Sequence, residues 1–208
     1  MNPSHATAHH WYGYYNLAAL GRFDEASAEM RKAVELDPLS PIINTNLGAT
    51  LLTARRYDEA VELLHKTLEL DPNFVPAHYN LHRAYLLQGR HEEAIAEWQK
   101  CYELDPDPGS FVELGHAYAL AGRRREAERI VAQLRDLLKE RYTISYVMAL
   151  TYTALGDKDQ AFAWLEQAFR DRTEAILYIK VDPFLDPLRS DRRFQDLTQR
   201  IESFSAGK

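Results

Sequence analysis

Apolar residues in this chain recur at helical spacing, in short runs that start and stop at regular intervals. Between Asn44 and Ala54, Leu47, Leu51 and Leu52 fall on one side of a helix. Arg55-Arg56-Tyr57 then reads as a turn, and Gly21, Gly89, Gly122 and Gly156 hold that place in neighbouring segments. Glycine there suits a left-handed C-cap. A second helix follows and opens on acids: Asp24-Glu25, Asp58-Glu59 and Glu92-Glu93. Acids complement the positive end of the helix dipole, and Lys32, Lys66 and Lys100 are expected in the last turns, where cations are favoured. Asp37-Pro38, Asp71-Pro72 and Asp105-Pro106 end these helices, because proline cannot continue a helix and restricts the residue before it.

This alternation is a repeat. Glu35-Leu36-Asp37-Pro38 returns as Glu69-Leu70-Asp71-Pro72 and as Glu103-Leu104-Asp105-Pro106, each time after 34 residues. Ala26, Ala60 and Ala94 keep the same step, and two degenerate copies carry Gly122 with Ala127 and Gly156 with Ala161. The pattern predicts five helical hairpins, over residues 7–40, 41–74, 75–107, 108–141 and 142–173, within an array spanning 1–173. Gly48, Gly115 and Ala149 on first helices, and the alanines on second helices, would let the paired helices approach closely. Three departures stand out. Gly13 to Gly21 is one residue longer than Gly48 to Arg55, which leaves the register of the first helix open by one. His82 occupies a small-residue position. The fourth copy lacks Asp-Pro, so its second helix is expected to run to about Glu140.

The 34-residue step, Leu47-Gly48, Leu114-Gly115 with Tyr118, the second-helix alanine and the closing proline resemble the tetratricopeptide repeat (TPR) over residues 7–171. The resemblance implies an all-α, right-handed TPR α-solenoid of about five helix-turn-helix repeats with a C-terminal capping helix. First helices would line a concave face that binds a protein or peptide partner. By register, the lining falls on Trp11, Tyr12 and Tyr15, on Thr45, Asn46 and Ala49, and on Tyr79, Asn80 and Arg83. Glu113, His116, Tyr146 and Val147 continue it. Of the side chains that TPR domains use to hold a chaperone's C-terminal carboxylate, only Asn46 matches, so that activity is not expected.

Residues 174–208 differ from the repeats and are expected to form capping helices and a tail. Asp182-Pro183 and Asp186-Pro187 each place a capping acid before a proline suited to a helix start. Phe194, Leu197, Ile201 and Phe204 form one apolar stripe. Val181 to Asp191 with Phe194, and Ala6 to Tyr12, are similar to TPR regions of multidomain bacterial signalling proteins and transcription regulators. That likeness gives an alternative reading, a regulatory or oligomerising segment of a larger protein, with a homodimer as one form. Asn2-Pro3-Ser4-His5 resembles the tail of a preceding repeat, which suggests a chain cut from, or degenerated from, a longer array.

Composition narrows the chemistry. With 25 basic and 31 acidic residues among 208 the net charge is −6, which argues against general nucleic-acid binding. No run of apolar residues is long enough to span a membrane, and the N-terminus lacks the basic start and apolar run of a secretory signal. Cytoplasm is the expected compartment. Cys101 is the single cysteine; it takes a position held by Ala33 and Thr67 in other copies and reads as a packing residue. His5 with His9 and His78 with His82 are four apart, yet no His-Glu-x-x-His pattern accompanies them. A metal-dependent hydrolase is therefore a remote alternative, and neither metal, cofactor nor catalytic residue is expected. Residues 1–106 carry nine basic and fifteen acidic groups, and residues 107–208 sixteen of each. Arg123, Arg124, Arg125, Arg129, Arg135, Lys139 and Arg141 are read as a solvated convex face, with a basic strip that meets an acidic partner as the alternative.

Overall fold

The computed structural model describes residues 5–106, 111–137 and 144–206. Every regular element among them is helical. The chain divides into two compact units, Met1–Asp105 and Pro106–Lys208. Unit 1 holds α1 (Ala6–Trp11), which continues into a π-helical stretch (Tyr12–Leu17), then α2 (Phe23–Leu36), α3 (Pro41–Thr53), α4 (Tyr57–Leu70), α5 (Val75–Leu87) and α6 (His91–Leu104). Unit 2 holds α7 (Phe111–Leu120), α8 (Arg124–Leu137), α9 (Ser145–Ala154), α10 (Lys158–Arg170), two short 3-10 helices (Glu174–Tyr178 and Pro183–Leu188) and α11 (Arg192–Ala206). The all-α hairpin fold expected from the sequence is thus found within each unit. The expected run of the fourth second helix to about Glu140 lies outside the described residues, as do Lys139, Arg141 and the Asn2-Pro3-Ser4 segment.

Each hairpin turns at a residue with positive φ. Gly21, Gly89, Gly122 and Gly156 lie at φ 72 to 79°, and Arg55 takes the same place at φ 61° without being glycine. The residue after this turn starts a repeated ion pair. Arg22 reaches Glu25, Arg56 Glu59, Arg90 Glu93 and Arg123 Glu126, with Nε to carboxylate distances of 2.6 to 3.1 Å. In the fifth hairpin the corresponding residues are Asp157 and Gln160. There the acid accepts the Gln160 amide at 3.1 Å, a direct N-cap. One acid-for-base exchange therefore replaces a side-chain clasp with a backbone cap.

The lysines do not sit where the sequence placed them. Helices α2, α4 and α6 run on to Leu36, Leu70 and Leu104, so no cation lies in their last turns. Lys32, Lys66 and Lys100 instead pair with Glu29, Glu62 and Glu97, three or four residues earlier. The helices end on Asp37, Asp71 and Asp105 as expected. Side chains also tie the turns between repeats: Asn44 Nδ2 donates to the Pro38 carbonyl at 3.0 Å, and His78 Nε2 lies 2.9 Å from the Pro72 carbonyl.

Helix pairing rests on small residues. Ala26, Ala60, Ala94, Ala127 and Ala161 are all fully buried. A Cβ on Gly48 would come within 2.9 Å of Leu64, and one on Gly13 within 3.0 Å of both the Ala26 carbonyl and Met30 Cγ. His82, the exception, is fully buried, and its Nδ1 donates to the Ala94 carbonyl at 2.8 Å. Burial lowers its pKa from 6.5 to about 4, outweighing the opposing effect of that hydrogen bond.

The π-helical stretch accounts for the long first copy. Ala18 N–H bonds to the Gly13 carbonyl five residues back, which absorbs one extra residue. Gly13 therefore matches Gly48 after 35 residues: the first packs on Met30 and the second on Leu64, themselves 34 apart. The downstream 34-residue step is restored by Leu17, whose carbonyl takes the Arg22 amide as that of Leu51 takes the Arg56 amide.

In unit 2, α9 packs between α7 and α10 and also meets the Pro183–Leu188 helix, while α11 packs on α10. Phe194, Leu197 and Ile201 of the expected stripe are buried; the Phe204 side chain lies outside the described set. Asp182 caps Phe184 N–H at 3.0 Å. The second Asp-Pro does not open a helix of its own. Pro187 lies inside the 3-10 helix, and Asp186 takes the Arg189 guanidinium at 2.7 Å.

Two consequences are measurable. Gly13→Ala gains roughly 1 kcal/mol of helix propensity, but it drives a methyl onto a backbone oxygen and should lower stability by about 1–3 kcal/mol, read as a lower urea midpoint. His82 takes up a proton near pH 6.5 when unfolded and only near pH 4 when folded. Stability should therefore fall as pH drops through that window, by about 3 kcal/mol in total. His82→Ala should flatten this part of the stability–pH curve.

Candidate functional site

The expected lining comes from first helices, and the structure treats its members differently. On unit 1, Trp11 is 56% exposed and Tyr15 39% exposed. Their rings stack at 4.8 Å, and Tyr14 meets Tyr15 edge-on at 4.8 Å. A tryptophan and a tyrosine left in water side by side are the largest exposed aromatic surface of this unit. Tyr79, Asn80 and Arg83 on α5 are half-buried. Asn80 Nδ2 donates to the Pro76 carbonyl at 2.8 Å, and the Tyr79 ring lies 6.5 Å from His82.

Other members are turned inward. Thr45 is fully buried. Asn46 is buried and its Nδ2 donates to His10 Nε2 at 2.7 Å. That nitrogen can accept only while the imidazole is neutral, and burial lowers the His10 pKa accordingly. Tyr12 packs against Leu17, Ala18 and Ala26. Its expected place assumed an unbroken 34-residue step. With the π-helical residue counted, His10, Trp11 and Tyr14 correspond to Thr45, Asn46 and Ala49, so the register puts His10 and Tyr14 at equivalent positions that the 34-residue step did not reach. The extra residue between Gly13 and Gly21 was the signal.

On unit 2, Glu113 is half-buried, whereas His116 and Tyr146 are buried. The chain's own C-terminal segment covers them. Phe184 meets the His116 ring edge-on at 4.7 Å, and the Tyr146 hydroxyl donates to Asp182 at 3.0 Å. Leu185 and Leu188 of the same segment are fully buried. First-helix positions expected to face a partner are here engaged by residues 182–188.

The remaining candidates behave as packing groups. His9 and His78 pair with Glu29 at 2.5 Å and Glu97 at 2.6 Å. Burial pushes the Glu97 carboxyl up, but hydrogen bonds from Lys100 and His78 outweigh it and hold the group below its ordinary value. Cys101 is buried with Sγ 3.8 Å from the Val75 carbonyl. Among the described residues, no three His, Cys, Asp or Glu side chains are grouped to hold a metal, and no helix is long and apolar enough to cross a membrane. Of the basic strip, Arg123 and Arg124 pair with Glu126 and Glu128.

Comparison with known proteins agrees with the geometry. Four models described as tetratricopeptide repeat match residues 6–38, 51–108, 108–133 and 147–176, together well over half of the chain. No curated protein matches. Among solved structures, a thermophilic TPR protein of Thermus thermophilus is 23% identical, with a TM-score of 0.65 over 86% of this chain and 98% of that one. PilW, a type IV pilus biogenesis factor, is 22% identical, with a TM-score of 0.61 over 86% and 84%. A chain of the APC/C hetero-tetramer Cut9–Hcn1 is 18% identical, with a TM-score of 0.66 over 96% and 43%. At these identities the likeness is one of fold.

Asn46 and Asn80 now separate. Asn46→Ala leaves His10 Nε2 buried without its donor and should cost about 1–3 kcal/mol. Asn80→Ala, at a half-buried position, should cost less than about 0.5 kcal/mol. Urea unfolding of the two variants checks the difference.

Proposed function

From the premise that the chain belongs to the tetratricopeptide-repeat family, whose fold serves protein–protein interaction, we propose that it captures a peptide or partner segment on the first-helix face of unit 1, without chemistry of its own. The observation that carries this reading is the exposed Trp11–Tyr15 stack. Exposed aromatics are enriched at interface centres, because a rigid ring buries much area for little lost entropy. Tyr79, Asn80 and Arg83 extend the face along α5 and add polar groups able to fix a backbone's register. Asn46 enters indirectly, by holding His10 beneath the aromatic ring cluster. His116 and Tyr146 are not part of the proposed face, since residues 182–188 engage them.

Panning a random peptide library against the immobilised chain tests this. Selected peptides should lose roughly tenfold or more in affinity on Trp11→Ala or Arg83→Ala, the scale of an interface anchor. Asp196→Lys on α11 should leave them unaffected. Peptides indifferent to both unit 1 changes would remove this face from the function.

A further inference from the structure

We propose that the outer face of unit 1 is a second docking surface, fitted to a cationic amphipathic segment of a partner protein. Two recesses open there, one repeat apart. The first, of about 310 Å³, lies between α2 and α4 and includes Val34 and Glu35 in its lining. The second, of about 610 Å³, lies between α4 and α6 and includes Leu68 and Glu69 at the corresponding positions, 34 residues on. Five lining positions recur after 34 residues, so the repeat builds related hollows, although Leu47 and Leu51 of α3 line only the first and Pro72, Asn73 and His78 only the second. At the far end of the second recess stand Glu103 and Leu104.

Leu104 is the last of three exposed rungs. Leu36, Leu70 and Leu104 occupy the same place in successive repeats and are 45%, 49% and 40% exposed. Leucines left half in water at three equivalent positions form an apolar row, and each lies between acids: Glu35 and Asp37, Glu69 and Asp71, Glu103 and Asp105. Glu35, Glu69 and Glu103 make no hydrogen bond or ion pair among the described residues, and only Glu69 has a cation, Lys66, near enough to feel its charge. The cations that share the recesses are already engaged: Lys66 by Glu62 at 2.6 Å, Lys100 by Glu97 at 2.8 Å and Arg31 by Glu59 at 2.9 Å. The C-terminal ends of α2, α4 and α6 add their negative partial charge at the same edge.

This combination selects the occupant. A purely apolar helix would bury these carboxylates without compensation, and an acidic one would be repelled. A segment with an apolar face for the leucine row and Lys or Arg beside it satisfies both. Its leucines lie on α2, α4 and α6, whereas Trp11 and Tyr15 lie on α1 and the π-helical stretch, and the inference does not depend on the Trp11–Tyr15 face binding anything.

The test uses a fluorescein-labelled peptide of leucines and lysines in an i, i+3, i+4, i+7 pattern, titrated with the intact chain by fluorescence anisotropy. A peptide with glutamate for each lysine is the comparison. The leucine–lysine peptide should bind and the leucine–glutamate peptide should not. Leu70→Ser with Leu104→Ser should weaken binding about tenfold or more, and Glu69→Lys with Glu103→Lys should abolish it. Asp24→Lys with Asp196→Lys makes the same change in net charge elsewhere and should shift affinity by less than about twofold, as should Trp11→Ala. Equal binding of both peptides, no binding of either, loss on Trp11→Ala, or a control reversal as damaging as that at Glu69 and Glu103 would each overturn the proposal.

Discussion

In the first, second and fourth hairpins, where glycine faces the second helix, the paired helices come closer than a side chain permits, and the packing of the repeats turns on that level. The second helix always offers a fully buried alanine: Ala26, Ala60, Ala94, Ala127 or Ala161. The first helix answers in two ways. Gly13 lies against the Ala26 carbonyl, where a methyl group would have no space. His82 reaches the Ala94 carbonyl, the matching oxygen two repeats on, and donates a hydrogen bond to it. At His82 a large buried ring takes the place that glycine holds in other copies, and its nitrogen satisfies the facing carbonyl by a hydrogen bond. The solution holds only while the buried ring is neutral, which ties the pairing of this hairpin to pH in a way no glycine does.

The repeats were legible because the step is carried by residues with strong local roles. A proline ends a helix wherever it stands, and a left-handed turn takes glycine in four copies out of five. Arg55 shows that the position is set by the chain path and not by the residue, since it adopts the same conformation with a side chain. What the sequence did not disclose depends on geometry that local pattern omits. Lys32, Lys66 and Lys100 were assigned to last turns, yet with Leu36, Leu70 and Leu104 as the last helical residues each lysine lies four residues in and pairs with an acid of its own helix. The π-helical residue in the first copy was visible as an odd spacing, yet its consequence, that His10 and Tyr14 match Thr45 and Ala49 by register while Tyr15 stays exposed beside Trp11, needed the packing of Gly13 on Met30.

Contacts distant along the chain were the least legible. Tyr146 meets Asp182 across 36 residues, and His116 meets Phe184 across 68. Nothing in either neighbourhood announces them. The Asp182-Pro183 and Asp186-Pro187 pairs read as two helix starts. Only one serves so: Pro187 lies inside the Pro183–Leu188 helix, and Arg189 reaches back to the carbonyls of Lys180 and Asp182 and ties the segment together.

These contacts explain why equivalent positions have unequal prospects for a partner. One first-helix position carries His10, Thr45, Tyr79 and Tyr146 in different copies. The backbone supplies the same slot each time, and the side chain and its neighbours decide whether the slot is closed. At Tyr146 the hydroxyl is buried and must have an acceptor; Asp182 provides it and caps Phe184 with its other oxygen. Displacing this segment would also expose Leu185 and Leu188, each worth about 1.5–3 kcal/mol when fully buried. An incoming chain would have to recover several kcal/mol before gaining any affinity there. Trp11 imposes no such demand. Its ring already stands in water, stacked on Tyr15, so a partner covering it removes apolar surface from solvent and dismantles nothing. The two units share one architecture, and among the described residues the Trp11 face stays open because no segment within unit 1 has claimed it.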